Sequence, residues 1–261
     1  MLEIKEINTF RGPAHILRGI SLTVKEREVV CLVGRNGAGK TTTMESIMGL
    51  LPVKSGTISF HGERIAGRAR GMLGRVLYFL GLYAEEFTGL PPHQRAGRGM
   101  GYAPEDCGIF PELTVAENLR ISQWLSKKSS GDRGSSAYED VEERIYAVFP
   151  EVRELTRREG LHLSGGEKKM VAIARAMALS PTLLLLDEAF EGLAPVVVNR
   201  FREAVNKIKD MGLSVLIAES NLAIASRLAD RLYAIDRGEI IFHGDPQEAL
   251  ENENVMKALR G

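Results

Sequence analysis

Gly34-Arg-Asn-Gly-Ala-Gly-Lys40-Thr41 fits the pattern G-x-x-x-x-G-K-[ST] and stands between the apolar run Val29–Val33 and a stretch of helical character, Lys40–Met48. The placement gives the motif its meaning. A strand that hands a glycine-rich turn to a helix start aims several backbone N–H groups, and the positive end of a helix dipole, at one point. Glycines let those amides turn inward and come close to phosphate oxygens. The expected cradle is Gly34, Arg35, Asn36, Gly37, Ala38, Gly39, Lys40, Thr41 and Thr42. Lys40 can reach the β- and γ-phosphates of a nucleotide, and the Thr41 hydroxyl can ligate Mg2+. A chance glycine-rich turn is the bland alternative, and the strand–loop–helix setting argues against it.

Outward from this loop, short apolar strands alternate with helices. A β-rich opening (Leu2–Asn8, Ile20–Val24) precedes the loop, and Thr57–His61 follows as another strand. Helical periodicity marks Thr114–Leu125, Ser136–Phe149, Glu167–Leu179 and Pro195–Met211, the last with proline at its start. Thr182–Asp187 and Ser214–Ala218 are continuous apolar strands. Such strands, alternating with helices, predict a parallel sheet covered on both faces.

Leu183-Leu-Leu-Leu-Asp187-Glu188 is a buried strand ending in two acids, roughly 150 residues beyond the loop. Asp187 suits Mg2+ binding, and Glu188 is placed to polarise an attacking water as general base. A GTPase would want N-K-x-D to read guanine; Asn206-Lys207-Ile208-Lys209 has lysine where aspartate is needed. Leu163-Ser-Gly-Gly-Glu167 supplies a serine hydroxyl, two glycine amides and a helix start, which makes a second anion site. The economical reading is that Ser164, Gly165, Gly166 and Glu167 close over a nucleotide held by another subunit.

With this signature directly before Lys168-Lys-Met-Val-Ala-Ile-Ala-Arg-Ala-Met-Ala178, the sequence resembles the ABC ATPases over nearly its whole length. The resemblance implies an α/β fold of the P-loop NTPase (RecA-like) type: a parallel-sheet core with an antiparallel β subdomain and a helical subdomain. Residues 1–105 and 163–261 would form the core and β subdomain of a single ATPase domain, and 106–162 the helical subdomain, which would carry the permease-facing surface. It also implies ATP and Mg2+ as ligands and a head-to-tail pair with a second ABC ATPase subunit, as paralogue heterodimer or homodimer. Integral-membrane permease subunits are implied too, with a periplasmic or extracellular solute-binding protein as indirect partner. Met48–Gly56, Gly89–His93, Ile109–Asn118 and Glu191-Gly-Leu-Ala-Pro195 look like the ATPase subunits of branched-chain amino acid importers. Urea and short-amide importers share several of these segments.

Several positions depart from the general pattern of the family. The register of the adenine-stacking aromatic falls on Arg11, with Phe10 beside it; either face can stack on a base. The loop that offers glutamine to Mg2+ reads Tyr102-Ala-Pro-Glu105, and glutamate here is also common in the branched-chain group. The Leu-Asp that follows the acidic pair is Leu193-Ala194. Ser220 occupies the place of the γ-phosphate histidine, which implies slow intrinsic hydrolysis with Asn221 or Glu105 as candidate compensators. His15, His61, His93, His162 and His243 fall elsewhere and are expected on the surface or in loops. Finally, about 20 residues, Arg68–Thr88, are inserted relative to the family. Met72, Val76, Leu80, Tyr83 and Phe87 recur there at helical spacing, predicting a helix at the edge of the β-rich region, away from the nucleotide.

Composition bounds the rest. Lys+Arg and Asp+Glu both number 34, so no net field favours nucleic acid or anionic lipid. No apolar run approaches the ~20 residues of a membrane span. Met1 leads straight into strand-like sequence with no signal-peptide pattern. Cys31 and Cys107 have no metal or redox spacing. The expected location is the cytoplasm, peripheral on the inner face of the cell membrane. A non-transport ABC ATPase and a slow nucleotide-dependent clamp remain the alternatives. The first is disfavoured by the single cassette without sustained heptads, while the Ser220 position keeps the second open.

Overall fold

Two sheets organise the protein, whose computed structural model describes residues 1–68, 87–130 and 136–260. The first is antiparallel, built from β1 (Leu2–Arg11), β2 (Ala14–Val24), β4 (Val53–Phe60), β5 (Glu63–Arg68) and β6 (Phe87–Gly89) in the order β2-β1-β4-β5-β6. The second holds β3 (Val29–Val33), β7 (Met100–Ala103), β8 (Leu183–Asp187), β9 (Ser214–Glu219), β10 (Arg231–Asp236) and β11 (Glu239–Gly244). Its order is β11-β10-β3-β9-β8-β7, parallel throughout except for the edge strand β11.

Every residue of β3, β8 and β9 is buried, because both faces of the parallel sheet are covered. The two-residue period sorts them into two cores. Val29, Cys31, Val33, Leu184, Leu186, Val215 and Ile217 face one way, toward the helices α6 (Gly165–Met177) and α7 (Pro195–Asp210). Phe201 of α7 is fully buried there and meets Phe149 and Phe190 edge-on, with ring centroids 5.7 and 5.9 Å away. Truncating such a ring to alanine costs ~3–5 kcal/mol. Val30, Leu32, Leu183, Leu185, Leu216 and Ala218 face the opposite way, onto Met44 and Ile47 of α1 (Lys40–Met48) and the inner residues of the antiparallel sheet, among them Ile4, Ile58 and Phe60.

α1 is therefore held between two sheets, and its C-terminal end is tied down by a single buried side chain. Arg95, in α2 (Pro92–Gly97), donates to the carbonyls of Ser46 and Ile47 at the end of α1 and of Leu90 and Ile65 in the antiparallel layer. Burial lowers its pKa to about 10, still high enough to keep it charged at neutral pH. A cation at a helix C-terminus complements the dipole. Between β7 and α6 lie α3 (Val115–Ser130), α4 (Ser136–Val148) and α5 (Pro150–Glu154).

The helical expectation for Arg68–Thr88 does not hold at its ends. Arg68 pairs with Phe87 and Gly67 with Thr88 in an antiparallel ladder, so the residues expected to start and finish the helix are strands instead. The hydrogen-bonding edge of β5 overrides the apolar spacing of Phe87. The remainder of that expectation, 69–86, lies outside the described residues.

Candidate nucleotide site

Because β3, β9 and β8 are adjacent and parallel, their C-terminal ends open on one edge of the sheet. That edge is where open α/β sheets bind ligands. β3 delivers the glycine-rich loop, β8 delivers Asp187 and Glu188, and β9 delivers Glu219 and Ser220. The Gly34 amide donates to the Glu219 carbonyl at 3.2 Å, which stitches the loop to β9. A Cβ at Gly34 would lie 2.5 Å from the Ile235 carbonyl oxygen, and Gly39 caps α1 with φ of 114°. Only glycine fits either place.

Lys40 is 3% exposed. Its ammonium donates to the carbonyls of Gly34 at 2.8 Å and Arg35 at 3.1 Å, and pairs with Glu188 Oε1 at 3.0 Å. An ammonium has three N–H groups, so all three are placed. Thr41 Oγ1 donates to Asp187 Oδ1 at 3.3 Å, and the Tyr102 hydroxyl donates to Asp187 Oδ2 at 3.2 Å. Burial raises the Asp187 carboxyl to about 6 in spite of those two donors, with Glu188 and Glu105 adding to the rise. A hydroxyl and two carboxylates form an all-oxygen donor set of the kind a hard divalent cation takes. Thr41, Asp187 and Glu105 are thus chemically suited to Mg2+.

Glu188 holds a left-handed backbone, φ 49°, and its amide donates to the Ala218 carbonyl at 3.0 Å. Burial pushes its carboxyl up, but hydrogen bonds from Glu191 and Lys40 outweigh that and keep it below the ordinary glutamate value. The same contact, the largest influence on Glu191, pushes that carboxyl up, so of the two Glu188 is the one that ionises more readily. A carboxylate held in that form is chemically suited to accept a proton from a water beside it.

The comparisons with known proteins bear directly on this geometry. Residues 17–191 match the family model described as ABC transporter. The chain belongs to the ABC transporter family. It is the ATP-binding type of subunit, and an ATPase. It is 31% identical over 261 residues to the high-affinity branched-chain amino acid transport ATP-binding protein BraG of Pseudomonas aeruginosa, covering 100% of both chains. It is 34% identical over 250 residues to the lipopolysaccharide export system ATP-binding protein LptB of Escherichia coli K12, covering 94% of this chain and 91% of that one. Among solved structures, the ADP conformation of MJ1267, an ATP-binding cassette of an ABC transporter, superposes with a TM-score of 0.77 at 24% identity, covering 100% of this chain and 98% of that one.

Other residues of this ABC ATPase fall in less expected places. Ser164 caps α6: its hydroxyl accepts from the Glu167 amide at 3.4 Å, while Glu167 Oε2 accepts from the Ser164 amide at 2.7 Å. Glu167 is therefore turned back on the cap, where Arg158 also holds it at 3.0 Å. Gly165 and Gly166 occupy the first helical turn, whose amides have no intrahelical acceptor. No hydrogen bond or ion pair links Ser164–Glu167 to the chain's own phosphate loop among the described residues.

Arg11 and Phe10 part company. Arg11 reaches α1, donating to Thr42 Oγ1 at 3.4 Å and pairing with Glu45. Phe10 is stacked on His15 at 4.3 Å with Lys54 over its ring. The two residues are neighbours in β1, so they point to opposite sides of the strand. Arg11 is the one beside the nucleotide loop.

Ser220 does not extend toward the loop. Its hydroxyl and amide both donate to Glu219 Oε1, at 3.4 and 2.9 Å. The Asn221 side-chain oxygen accepts from the amides of Ala223 and Ile224, capping α8 (Leu222–Leu228), so it is committed elsewhere. All five histidines are exposed.

Four contributors escaped the sequence reading: Tyr102, Lys169, Glu191 and Glu219. Lys169, in the helix that begins at Ser164, donates to the carbonyls of Glu188 at 2.5 Å and Glu191 at 2.8 Å and so holds the turn that carries Glu188. Glu105, Glu188 and Glu191 place carboxylate oxygens within 4.8 Å of one another. The one available signal was an excess of acids around Glu188, since Glu191 lies three residues on.

Proposed function

We propose that this ABC ATPase binds Mg-ATP on Gly34–Thr42 and uses its hydrolysis to drive permease subunits that import amino acids of the branched-chain type. The observation that carries the ATP part is the buried Lys40–Glu188 pair at the mouth of the loop. Each ammonium proton of Lys40 already has an acceptor, so a polyphosphate gains Lys40 only by displacing one. Glu188 is the acceptor to lose, because the other two belong to the loop itself. Arrival of the phosphates then frees Glu188, and charging the loop arms the base. Water loses a proton to Glu188 as its oxygen attacks the γ-phosphorus, and the bond to the ADP oxygen breaks. Mg2+, when held by Thr41, Asp187 and Glu105, would neutralise charge on the phosphate oxygens.

Ser164–Gly166 supports the second part of the proposal. A capped helix start with outward amides, not joined to its own chain's loop, fits a γ-phosphate carried by another ATPase subunit. Such a pair would work at the cytoplasmic face of the membrane, docked on permeases; no helix among the described residues is long and apolar enough to cross a bilayer itself. Arg11 would lie under the adenine, where a planar guanidinium can stack on the base.

Full-length similarity to the branched-chain transport protein supports the cargo, together with Glu191-Gly-Leu-Ala-Pro195. A second reading, export of a lipopolysaccharide-like lipid, is favoured by the 34% identity to LptB. Reconstituting the chain with its permeases in proteoliposomes separates the two. Stimulation of ATP hydrolysis by a leucine-loaded binding protein supports import of amino acids, whereas stimulation by lipopolysaccharide in the bilayer overturns it.

A further inference from the structure

Glu219 closes β9 at the same sheet edge as Lys40 and Glu188, is only 1% exposed, and has no part in the mechanism above. Its two carboxylate oxygens are treated very differently. Oε1 collects three donors: the amides of Ser220 and Asn221, at 2.9 and 3.0 Å, and the Ser220 hydroxyl at 3.4 Å. Oε2 is buried without any hydrogen-bond partner. A buried carboxylate oxygen with no donor is costly, and folded proteins rarely keep one without a use for it.

Its position narrows that use. Glu219 pairs with Val33, the residue before the phosphate loop, and its carbonyl holds the Gly34 amide. One residue earlier, Ala218 lies opposite Asp187 and accepts the Glu188 amide. The carboxyl therefore stands between the strand end that holds phosphate and the strand end that holds the base. Burial raises its pKa, against the pull of the Asn221 and Ser220 amides, and the charges of Glu188 and Lys40 both reach it. Lys40, the cation whose charge reaches it, has no proton to spare, since its ammonium protons go to Gly34, Arg35 and Glu188. What can reach Oε2 is a donor small enough to enter with the nucleotide.

We propose that Glu219 is a positioning residue for hydrolysis: Oε1 pins the Ser220–Asn221 turn against the phosphate loop, and Oε2 accepts a hydrogen bond from water brought in beside Glu188 when ATP binds. The turn alone would be served as well by a neutral amide. Only the second task needs an acceptor at the Oε2 position, so the two can be told apart. The inference rests on the ATPase reading of the same site.

The test compares wild type with Glu219→Gln and Glu219→Ala, measuring kcat and KM for Mg-ATP, ATP affinity by calorimetry, and thermal unfolding without nucleotide. Glutamine keeps an acceptor for the turn and replaces Oε2 with an amide donor. The expected result for Glu219→Gln is a kcat lowered about tenfold or more, with KM and ATP affinity within about threefold and a Tm at or above that of wild type. Glu219→Ala should lose at least as much kcat and also some Tm. A Glu219→Gln variant with kcat within about twofold of wild type would overturn the proposal and leave Glu219 as a turn residue. So would a loss in which kcat, affinity and Tm fall together, since that is general loosening. A wild-type protein that neither binds nor hydrolyses ATP would sink the underlying reading, and the wild-type arm shows this independently of either variant.

Discussion

Replacing Lys40 with methionine tests whether the buried pair behaves as the geometry says. Lys40 and Glu188 have side chains 3% and 6% exposed and lie 3.0 Å apart. Removing one partner of a buried pair costs ~3–5 kcal/mol, because the other charge stays behind unpaired. Glu188 has two ways of softening this: the Lys169 charge reaches its carboxylate, and Glu191 is hydrogen-bonded to it. The cost of Lys40→Met should therefore sit near the lower limit, ~3 kcal/mol. For a chain of this size that is a fall in Tm of about 6–12 °C. Glu188→Gln keeps an acceptor for the ammonium and should cost ~1 kcal/mol. In Lys40→Met/Glu188→Gln no charge is stranded, so the double variant should be more stable than the sum of the singles by at least ~1.5 kcal/mol. Urea unfolding of the four proteins without nucleotide closes the cycle. Strict additivity would refute the pairing, and with it the idea that phosphate must take Lys40 from Glu188.

Ser220 and Glu28 give two further expectations. With its hydroxyl turned back on Glu219, Ser220 offers no donor to phosphate, so Ser220→His should raise single-turnover hydrolysis about tenfold or more; no gain in that variant, with Ser220→Ala equal to wild type, would show that the position has no role. Glu28 takes Arg231 Nε and Nη2 at 2.9 and 3.0 Å. Burial alone would raise its carboxyl, but the hydrogen bonds from Arg231 and the Lys25 amide hold it below 4.5. A depressed carboxyl contributes stability above its unfolded pKa and loses it as pH falls through the folded value. Glu28→Gln should cost ~1–2 kcal/mol near neutral pH and flatten the acid limb of stability below about 4.5, where an unchanged limb in pH-dependent unfolding would count against it.

The parallel core was legible because its signals are local and redundant. Val29–Val33 and residues 183–186 and 215–218 are uninterrupted apolar runs, the pattern of strands buried on both faces. The glycine-rich turn between β3 and α1 was legible because Gly34 and Gly39 admit no other residue. What sequence left open was direction. Phe10 and Arg11 are equivalent on paper until β1 sends one to His15 and the other to α1. The strand ends of Arg68–Thr88 were missed because pairing between β5 and β6 is a long-range choice that the spacing of Met72, Val76, Leu80, Tyr83 and Phe87 does not encode. Lys169 and Glu219 were invisible for a related reason. Lys169 acts through backbone carbonyls of another segment, and Glu219 through the amides of the turn that follows it and the Gly34 amide on its carbonyl; no motif records such contacts.

The most direct test of the central claim measures phosphate release from Mg-ATP by purified wild type and Glu188→Gln, beside ATP binding to both by calorimetry. Glutamine cannot take the proton of the attacking water but leaves the phosphate loop intact. Glu188 as general base requires ATP affinity kept or improved in the variant and phosphate release lowered about 100-fold or more. A Glu188→Gln protein that binds ATP and releases phosphate at the wild-type rate would contradict it.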